Sequence, residues 1–375
     1  MIRVTVVSPE PTPYRAPLFD RLAAREDIDL TVIYAARTVA GRTWEVELAH
    51  EAVFLSGPRL AVVGALLRHD YPVTPGILRA LRVARPDVVV VSGWSTFPSQ
   101  AAIAWCRAKR VPYVLLVESH DLGPRAGWRR AVKGAVVPRL VHLAAGVLVV
   151  GSAARDSVVA RGAAPERVRV FANTVDVPAW EARADRLRER RSELREALGI
   201  RNDDVAVVSV GRLAREKGFD TLLRAVAGDE RLTVLFAGEG PEREALTRLG
   251  GRVRLLGDLD EERLAEAYAA ADVFALLSLH EPWGVVVNEA AASGLPLVLS
   301  DRVGAAYDLL RDGENGFLVP AGAVAAAATA LRRLADDPKL RRRMGARSRE
   351  LVREWGYGPS VENFVAAVRD AVIAR

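Results

Sequence analysis

A single cysteine, Cys106, excludes a disulfide framework, and its neighbours Ala101, Ala102, Ala104 and Trp105 mark it as a buried, inert thiol on a helix. Histidine is also sparse, with five in the chain. His50, His69, His120, His142 and His280 show no His-x-x-x-His or His-x-His spacing, so no histidine-based metal site is expected. No apolar run reaches the roughly 18–20 residues of a membrane-spanning helix. The opening MIRVTVVSPE lacks the basic start, long apolar stretch and small-residue cleavage site of a secretory leader. Together these absences point to a chain that stays in the cytoplasm.

A length of 375 residues exceeds one ordinary hydrophobic core and makes two domains the natural division. Half of the residues are hydrophobic and 27% are charged, the balance of a globular enzyme and not of a disordered, fibrous or coiled-coil chain. The charge is unevenly placed. Residues 1–178 hold 23 Lys+Arg against 15 Asp+Glu, a net +8, leaving 30 against 32, a net −2, for the remainder of the total +6. A basic first half suits anionic lipid headgroups or phosphorylated acceptors. Nucleic acid is not an expected partner, because no helix-turn-helix, zinc-finger spacing or RNA-recognition aromatic motif accompanies the charge. Residues 124–142 gather Arg125, Arg129, Arg130, Lys133 and Arg139 around Trp128. They read either as a peripheral contact with the anionic inner face of a membrane or as a solvated helix, with Pro138 interrupting any long amphipathic helix.

Short runs rich in Val, Ile and Leu at 2–8, 28–34, 87–92, 112–117 and 146–150 alternate with helix-length stretches such as 15–25, 98–109 and 152–162. Such runs suit strands covered on both faces, and the alternation implies an α/β parallel sheet. Residues 179–203 change character, being charged with apolar residues every three or four, and read as a helical connector. A second alternating series follows, with strands near 205–210, 232–237, 253–256, 272–277, 295–299 and 316–319. The expected fold is two Rossmann-like parallel-sheet domains facing a central cleft.

Gly211-Arg212-Leu213-Ala214-Arg215-Glu216-Lys217-Gly218 follows a buried strand and opens a helix, the place where an open parallel sheet binds ligands. Gly211 lets a ligand approach the backbone, and Arg212 and Lys217 can neutralise a diphosphate at a helix N-terminus. A solvated loop would look the same. Glu281-Pro282-Trp283-Gly284-Val285-Val286-Val287-Asn288-Glu289 also follows a strand, with two carboxylates eight residues apart. If both lie on one helix they stand about 12 Å apart along its axis, too far to share a proton. Each can accept hydroxyl hydrogen bonds, as a sugar or a ribose diol would require.

These motifs resemble the donor domain of glycosyltransferase family 4, marked by a Gly-Arg…Lys-Gly phosphate loop and an E-x7-E motif. Here they are Gly211-Arg212, Lys217-Gly218, and Glu281 with Glu289; Gly238-Glu239-Gly240-Pro241, Gly257, the run from Ala290 to Pro296, Gly313 and Asn315-Gly316-Phe317 match in order over about residues 205–340. The resemblance implies a GT-B architecture and retaining transfer of a sugar from a nucleoside-diphosphate donor. It implies residues 1–178 plus 358–375 as the acceptor-side domain with a returning C-terminal helix, broken off at Gly356-Tyr357-Gly358-Pro359, and residues 179–357 as the donor domain. Arg212 and Lys217 would hold the diphosphate, Glu281 the donor-sugar hydroxyls and Glu289 the ribose diol. Gly211, Gly238, Gly240, Trp283, Gly284 and Val285 would complete the donor pocket.

In the first half, Asn173-Thr174-Val175-Asp176 resembles the family's Asn-Gly-Val-Asp, and His120 stands where an acceptor-side histidine contacts substrate near the reacting carbon. Tyr14, Arg15 and Trp94 are further acceptor-side candidates. Two departures stand out. Pro9-Glu10-Pro11-Thr12-Pro13-Tyr14-Arg15 replaces a glycine-rich turn, so Arg15 would substitute for missing amides or simply staple the loop to the core, and Gly304-Ala305-Ala306-Tyr307-Asp308 replaces Gly-Gly-x-x-Glu. Asp258-Leu259-Asp260 suits a helix cap better than a metal site, so metal-independent catalysis without a cofactor is expected. The acceptor would be a polysaccharide, a lipid-linked glycan or a small molecule. A nucleotide-sugar epimerase and a noncatalytic nucleotide-sugar-binding protein are the competing readings.

Overall fold

The computed structural model describes residues 1–38, 46–59, 71–121 and 127–374, with the backbone alone at 127–133 and 135. Among these residues the first sheet holds β1 (Ile2–Ser8), β2 (Ile28–Tyr34), β3 (Glu51–Phe54), β4 (Val88–Ser92), β5 (Tyr113–Val117), β6 (Gly146–Val149) and β7 (Val168–Val170), in the order β3-β2-β1-β4-β5-β6-β7. Its helices are α1 (Ala16–Ala23), α2 (Ile77–Ala84), α3 (Phe97–Lys109), α4 (Gly127–His142) and α5 (Ser152–Val159). Then come α6 (Val177–Arg188) and α7 (Arg191–Ala197). The second sheet holds β8 (Val205–Val210), β9 (Leu232–Ala237), β10 (Val253–Gly257), β11 (Val273–Leu276), β12 (Leu297–Ser300) and β13 (Gly316–Val319), in the order β10-β9-β8-β11-β12-β13. Interspersed or following are α8 (Phe219–Val226), α9 (Arg243–Leu249), α10 (Glu261–Ala270), α11 (Val285–Ala292), α12 (Ala306–Leu309), α13 (Val324–Asp336), α14 (Pro338–Val352) and α15 (Tyr357–Ile373).

The expected pair of Rossmann-like α/β units is what the chain forms. Every residue of β8 is buried, and β4 reads Val-Val-Val-Val-Ser, because helices cover both sheet faces. The sequence did not reveal β3 and β7, which are short and only partly buried and so lack a continuous apolar run. In each sheet the strand order reverses beside its first strand: β1 lies between β2 and β4, and β8 between β9 and β11. Loops leaving the two sides of such a reversal part from one another and open a crevice at the carboxyl ends. The loops so placed are those after β1 and β4 in the first unit, and after β8 and β11 in the second.

The charged stretch after residue 178 forms α6 and α7, which pack on α10 and α11 of the second unit. At the far end, the chain breaks at Gly356, and α15 lies across β5, β6 and β7 and against α1 of the first. Pro359 sits in the first turn of α15, where backbone N–H groups have no intrahelical partner, so its missing donor does no harm. One face of each sheet has its own apolar cluster, and the other two faces share a single cluster that runs from Val7 to Val352. Cys106 is fully buried in that shared cluster, where burial pushes its thiol up to about 12.

Pro138 does not interrupt its helix as expected: α4 runs through it. A proline removes one intrahelical bond but leaves the turns on either side able to continue. Arg125 lies outside the described residues, as do the side chains of Trp128, Arg129, Arg130 and Lys133. Among the described residues no helix is long and apolar enough to cross a membrane.

Phe364 of α15 is fully buried and packs tilted against Phe171, with ring centroids 5.1 Å apart. Phe364→Ala is expected to cost about 3–5 kcal/mol in denaturant unfolding, the usual penalty for emptying a core aromatic site.

Candidate active site between the two sheets

The loops at the second switch point are laced together by their backbones. Gly211 N donates to Ala237 O at 2.9 Å, Gly238 N to Gly257 O at 2.7 Å, and Leu213 N to Glu239 O at 2.9 Å. Gly238 has φ 132°, and a Cβ there would fall 2.2 Å from the Gly211 carbonyl oxygen. A Cβ on Gly240 would likewise lie 2.4 Å from the Leu213 carbonyl oxygen. Close backbone contact therefore accounts for both glycines by itself, without a ligand against them.

The helix expected to open within 211–218 begins later, at Phe219, after a tight turn over Arg215–Lys217. Arg212 is exposed, with Nη2 3.4 Å from Glu216 Oε1, a long contact that leaves its guanidinium accessible to an anion. Lys217 is mostly buried, and its ammonium donates to Glu281 Oε2. The two meet because β8 and β11 are neighbours, Val207 beside Val273 and Val208 beside Phe274, so the loops that leave them run together. An ammonium has three donors and a carboxylate two oxygens, so each keeps capacity beyond this pair.

Glu281 and Glu289 do not share a helix, which corrects the axial spacing expected from the sequence. Glu281 is pinned as extended chain, bridging Val303 and donating its N–H to Arg302 O at 3.0 Å, while α11 starts only at Val285. Gly284 precedes that helix with φ 94°, and no side chain caps it. The first-turn amides, Val285 among them, thus form a positive helix end suited to an anion. Glu289 is half-buried in the middle of α11 and accepts from the Tyr268 hydroxyl at 2.9 Å. Burial pushes its carboxyl up to about 7, outweighing the opposing effect of the Tyr268 bond. Burial, then the nearby Glu289 charge, holds the Tyr268 hydroxyl well above its ordinary range, so it stays a donor.

Behind this centre the two units touch. His120 is fully buried, and its Nε2 lies 2.8 Å from the Glu281 carbonyl oxygen, which fixes the hydrogen on that nitrogen. It was expected to touch substrate; its contacts in the structure are with the backbone of Glu281 and, edge-on at 5.3 Å, with the His280 ring. Trp283, expected in the donor pocket, is 2% exposed, donates to Asn288 Oδ1 at 3.1 Å and packs tilted against Trp355 with ring centroids 5.2 Å apart. It fastens the seam and offers no open face to a ligand. Asn288 Nδ2 in turn reaches Thr174 Oγ1 of the first unit at 3.1 Å, and Ser152 N donates to Asp308 Oδ2 at 2.9 Å. Burial raises the Asp308 carboxyl above its ordinary value. No sequence pattern marked Ser152 or Tyr268; Asn288 lay within the Glu281–Glu289 motif without a role of its own, and Asp308 stood out only as a departure from the family.

Arg15 is buried at 4% exposure and bonds Glu118 Oε1 at 2.9 Å, the Phe171 carbonyl at 3.3 Å and the Asn173 side chain, with its guanidinium 4.6 Å over the Phe171 ring. Of the two readings, the staple is the one its contacts describe; it does not stand in for missing phosphate-binding amides. Tyr14 is half-buried beside it, and burial followed by the Glu118 charge raises its hydroxyl well above the ordinary range. Trp94, after β4, packs partly buried on the shared apolar cluster. Asp260 caps α10, accepting from Arg263 N at 2.8 Å. The structure thus brings Lys217, Glu281 and His120 together, and leaves Arg15 and Trp283 in the interior.

Residues 3–174 match the family model described as a glycosyl transferase 4-like domain, and residues 190–351 match the one described as glycosyl transferases group 1. The chain is 31% identical over 351 residues to D-inositol 3-phosphate glycosyltransferase 1 of Catenulispora acidiphila, covering 84% of this chain and 79% of that protein. It is 30% identical over 296 residues to the sulfoquinovosyl transferase SQD2 of Arabidopsis thaliana, covering 76% of this chain and 56% of that one. The chain spans about half the length of several curated relatives it matches. The crystal structure of Anabaena Alr3699/HepE in complex with UDP and glucose superposes with a TM-score of 0.73 at 20% identity, covering 98% of this chain and 99% of that one, and so shares the fold.

Glu289 holds its proton to about pH 7 when folded, against an ordinary 4.5. The folded state therefore binds more protons between these values, and stability falls as pH rises through that window. Glu289→Gln removes this slope, and denaturant unfolding is expected to show the variant more stable than the parent at pH 8 but no different at pH 4.

Proposed function

We propose that this chain, which belongs to the GT-B glycosyltransferases of the family 4 type, moves a sugar from a nucleoside-diphosphate donor onto an acceptor hydroxyl with retention of the anomeric configuration. The observation that carries this reading is the meeting of the loops after β8 and β11. There a lysine, an accessible arginine and an uncapped helix N-terminus offer positive charge beside a carboxylate able to accept hydroxyl hydrogen bonds. The Anabaena protein of the same fold was crystallised with UDP and glucose, which supports a nucleotide-sugar donor here.

In this reading Arg212, Lys217 and the amides at the start of α11 bind the diphosphate and stabilise the negative charge that grows on it as the bond to the anomeric carbon breaks. Those groups carry the charge without a metal. Glu281 takes hydroxyls of the donor sugar and Glu289 the ribose diol, both as hydrogen-bond acceptors. The acceptor oxygen adds to the anomeric carbon on the face the diphosphate leaves, and its proton passes to a diphosphate oxygen. No opposed pair of carboxylates is then needed, in contrast to hydrolysis by a two-carboxylate glycosidase. His120 acts through Glu281, whose backbone it holds. Acceptors of the polysaccharide, lipid-linked or small-molecule kind all fit this chemistry.

Thermal shift against UDP-, GDP-, ADP- and dTDP-sugars in the presence of a chelator tests the reading. One donor class should stabilise the protein selectively, and Lys217→Ala should lower transfer by about 100-fold or more, as expected for a removed transition-state charge contact. Stabilisation by none of them, in folded protein, would overturn it. A changed sugar stereocentre without transfer would identify an epimerase instead. Binding without transfer or slow donor hydrolysis would identify a noncatalytic sensor.

A further inference from the structure

Helix α5 of the first unit begins at Ser152 after Gly151, and no residue of its own chain segment caps it. Its cap comes from the other unit. The Asp308 carboxylate accepts from Ser152 N through Oδ2 at 2.9 Å and from the Ser152 hydroxyl through Oδ1. Asp308 is 5% exposed, and a carboxylate at that burial persists only when hydrogen-bonded. There is no slack in the joint: a Cβ on Gly151 would lie 2.3 Å from the Trp283 ring and 2.4 Å from Asp308 Oδ2.

We propose that Asp308 is a positioning residue: by capping α5 across the seam it holds the two units in the register that sets His120 on Glu281. Asp308 lies on α12, four residues after Gly304, and Gly304 N donates to the Glu281 carbonyl oxygen at 3.0 Å. The same carbonyl takes the His120 bond at 2.8 Å. The segment from Val303, which bridges Glu281, to Asp308 therefore ties both cross-unit contacts to the carboxylate that pairs with Lys217. Opening the seam breaks the two together. The diphosphate-binding groups Arg212, Lys217 and the start of α11 all belong to the second unit, so they stay in place when the latch is lost.

The kinetic part of this inference rests on the proposed transfer reaction; the structural part does not. Nucleotide-free wild type, Asp308→Ala and Gly151→Ala would be compared by small-angle X-ray scattering. Affinity for UDP, GDP, ADP and dTDP, and kcat with the matching sugar donor, would follow on the same preparations. Both variants should show a larger radius of gyration. Nucleoside diphosphate affinity should stay within about twofold while kcat falls roughly tenfold, the shift that loss of one buried cap imposes on a closed-to-open ratio. Ser152→Ala, which keeps the amide bond, should give the same split with smaller amplitude and covers the case in which a harsher variant fails to fold. Unchanged scattering in folded variants, or nucleotide affinity that falls in step with kcat, would overturn the latch. If no nucleotide binds the wild type, the scattering comparison still decides the latch while the transfer reading fails.

Discussion

The indole of Trp283, closed in between Gly151 of the first unit and Trp355 near the chain's end, is the contact around which the rest is arranged. A side chain of this size buried at a junction joins the two sheets' inner faces into one apolar cluster, and apolar burial is the force that holds the units in contact. Its N–H still needs an acceptor, and Asn288 supplies one while reaching across to Thr174. From that fixed point the chain enters α11 through Gly284, whose positive φ turns it into the helix within the second unit.

Electrostatics then work within a frame already set. A partly buried lysine and a carboxylate are brought together by neighbouring strands, and neither has to sit unpaired in the interior. Glu289, by contrast, is placed among protein atoms with one tyrosine hydroxyl for company, and its affinity for a proton rises accordingly. The same helix therefore carries a positive end and, about one turn on, a carboxyl balanced between charge states near neutrality. In the proposed reaction these serve the two ends of one elongated ligand.

Several groups that look like binding residues in the sequence turn out to hold the scaffold. Arg15 is a buried clamp, Gly238 and Gly240 make room for carbonyls of the adjoining loop, and His120 grips a backbone oxygen. Arginine, glycine and histidine suit ligand sites and tight backbone contacts for the same physical reasons: a fork of donors, the absence of a Cβ, and a ring that bonds at both nitrogens. Residue type alone cannot separate the two uses.

What the sequence determined by itself was local or periodic. Valine-rich runs separated by helical stretches specify strands covered on both faces, and the order of Gly211, Arg212, Lys217, Glu281 and Glu289 along the chain carries the family, because both signals survive without knowing which residues meet. The tertiary structure alone decided that Lys217 meets Glu281, that Glu281 stands before the helix and not on it, and that Asp308 caps a helix more than 150 residues away. Those outcomes depend on strand order and on contacts between units. A hydrogen bond formed across so long a separation leaves no periodic trace in the residues that make it.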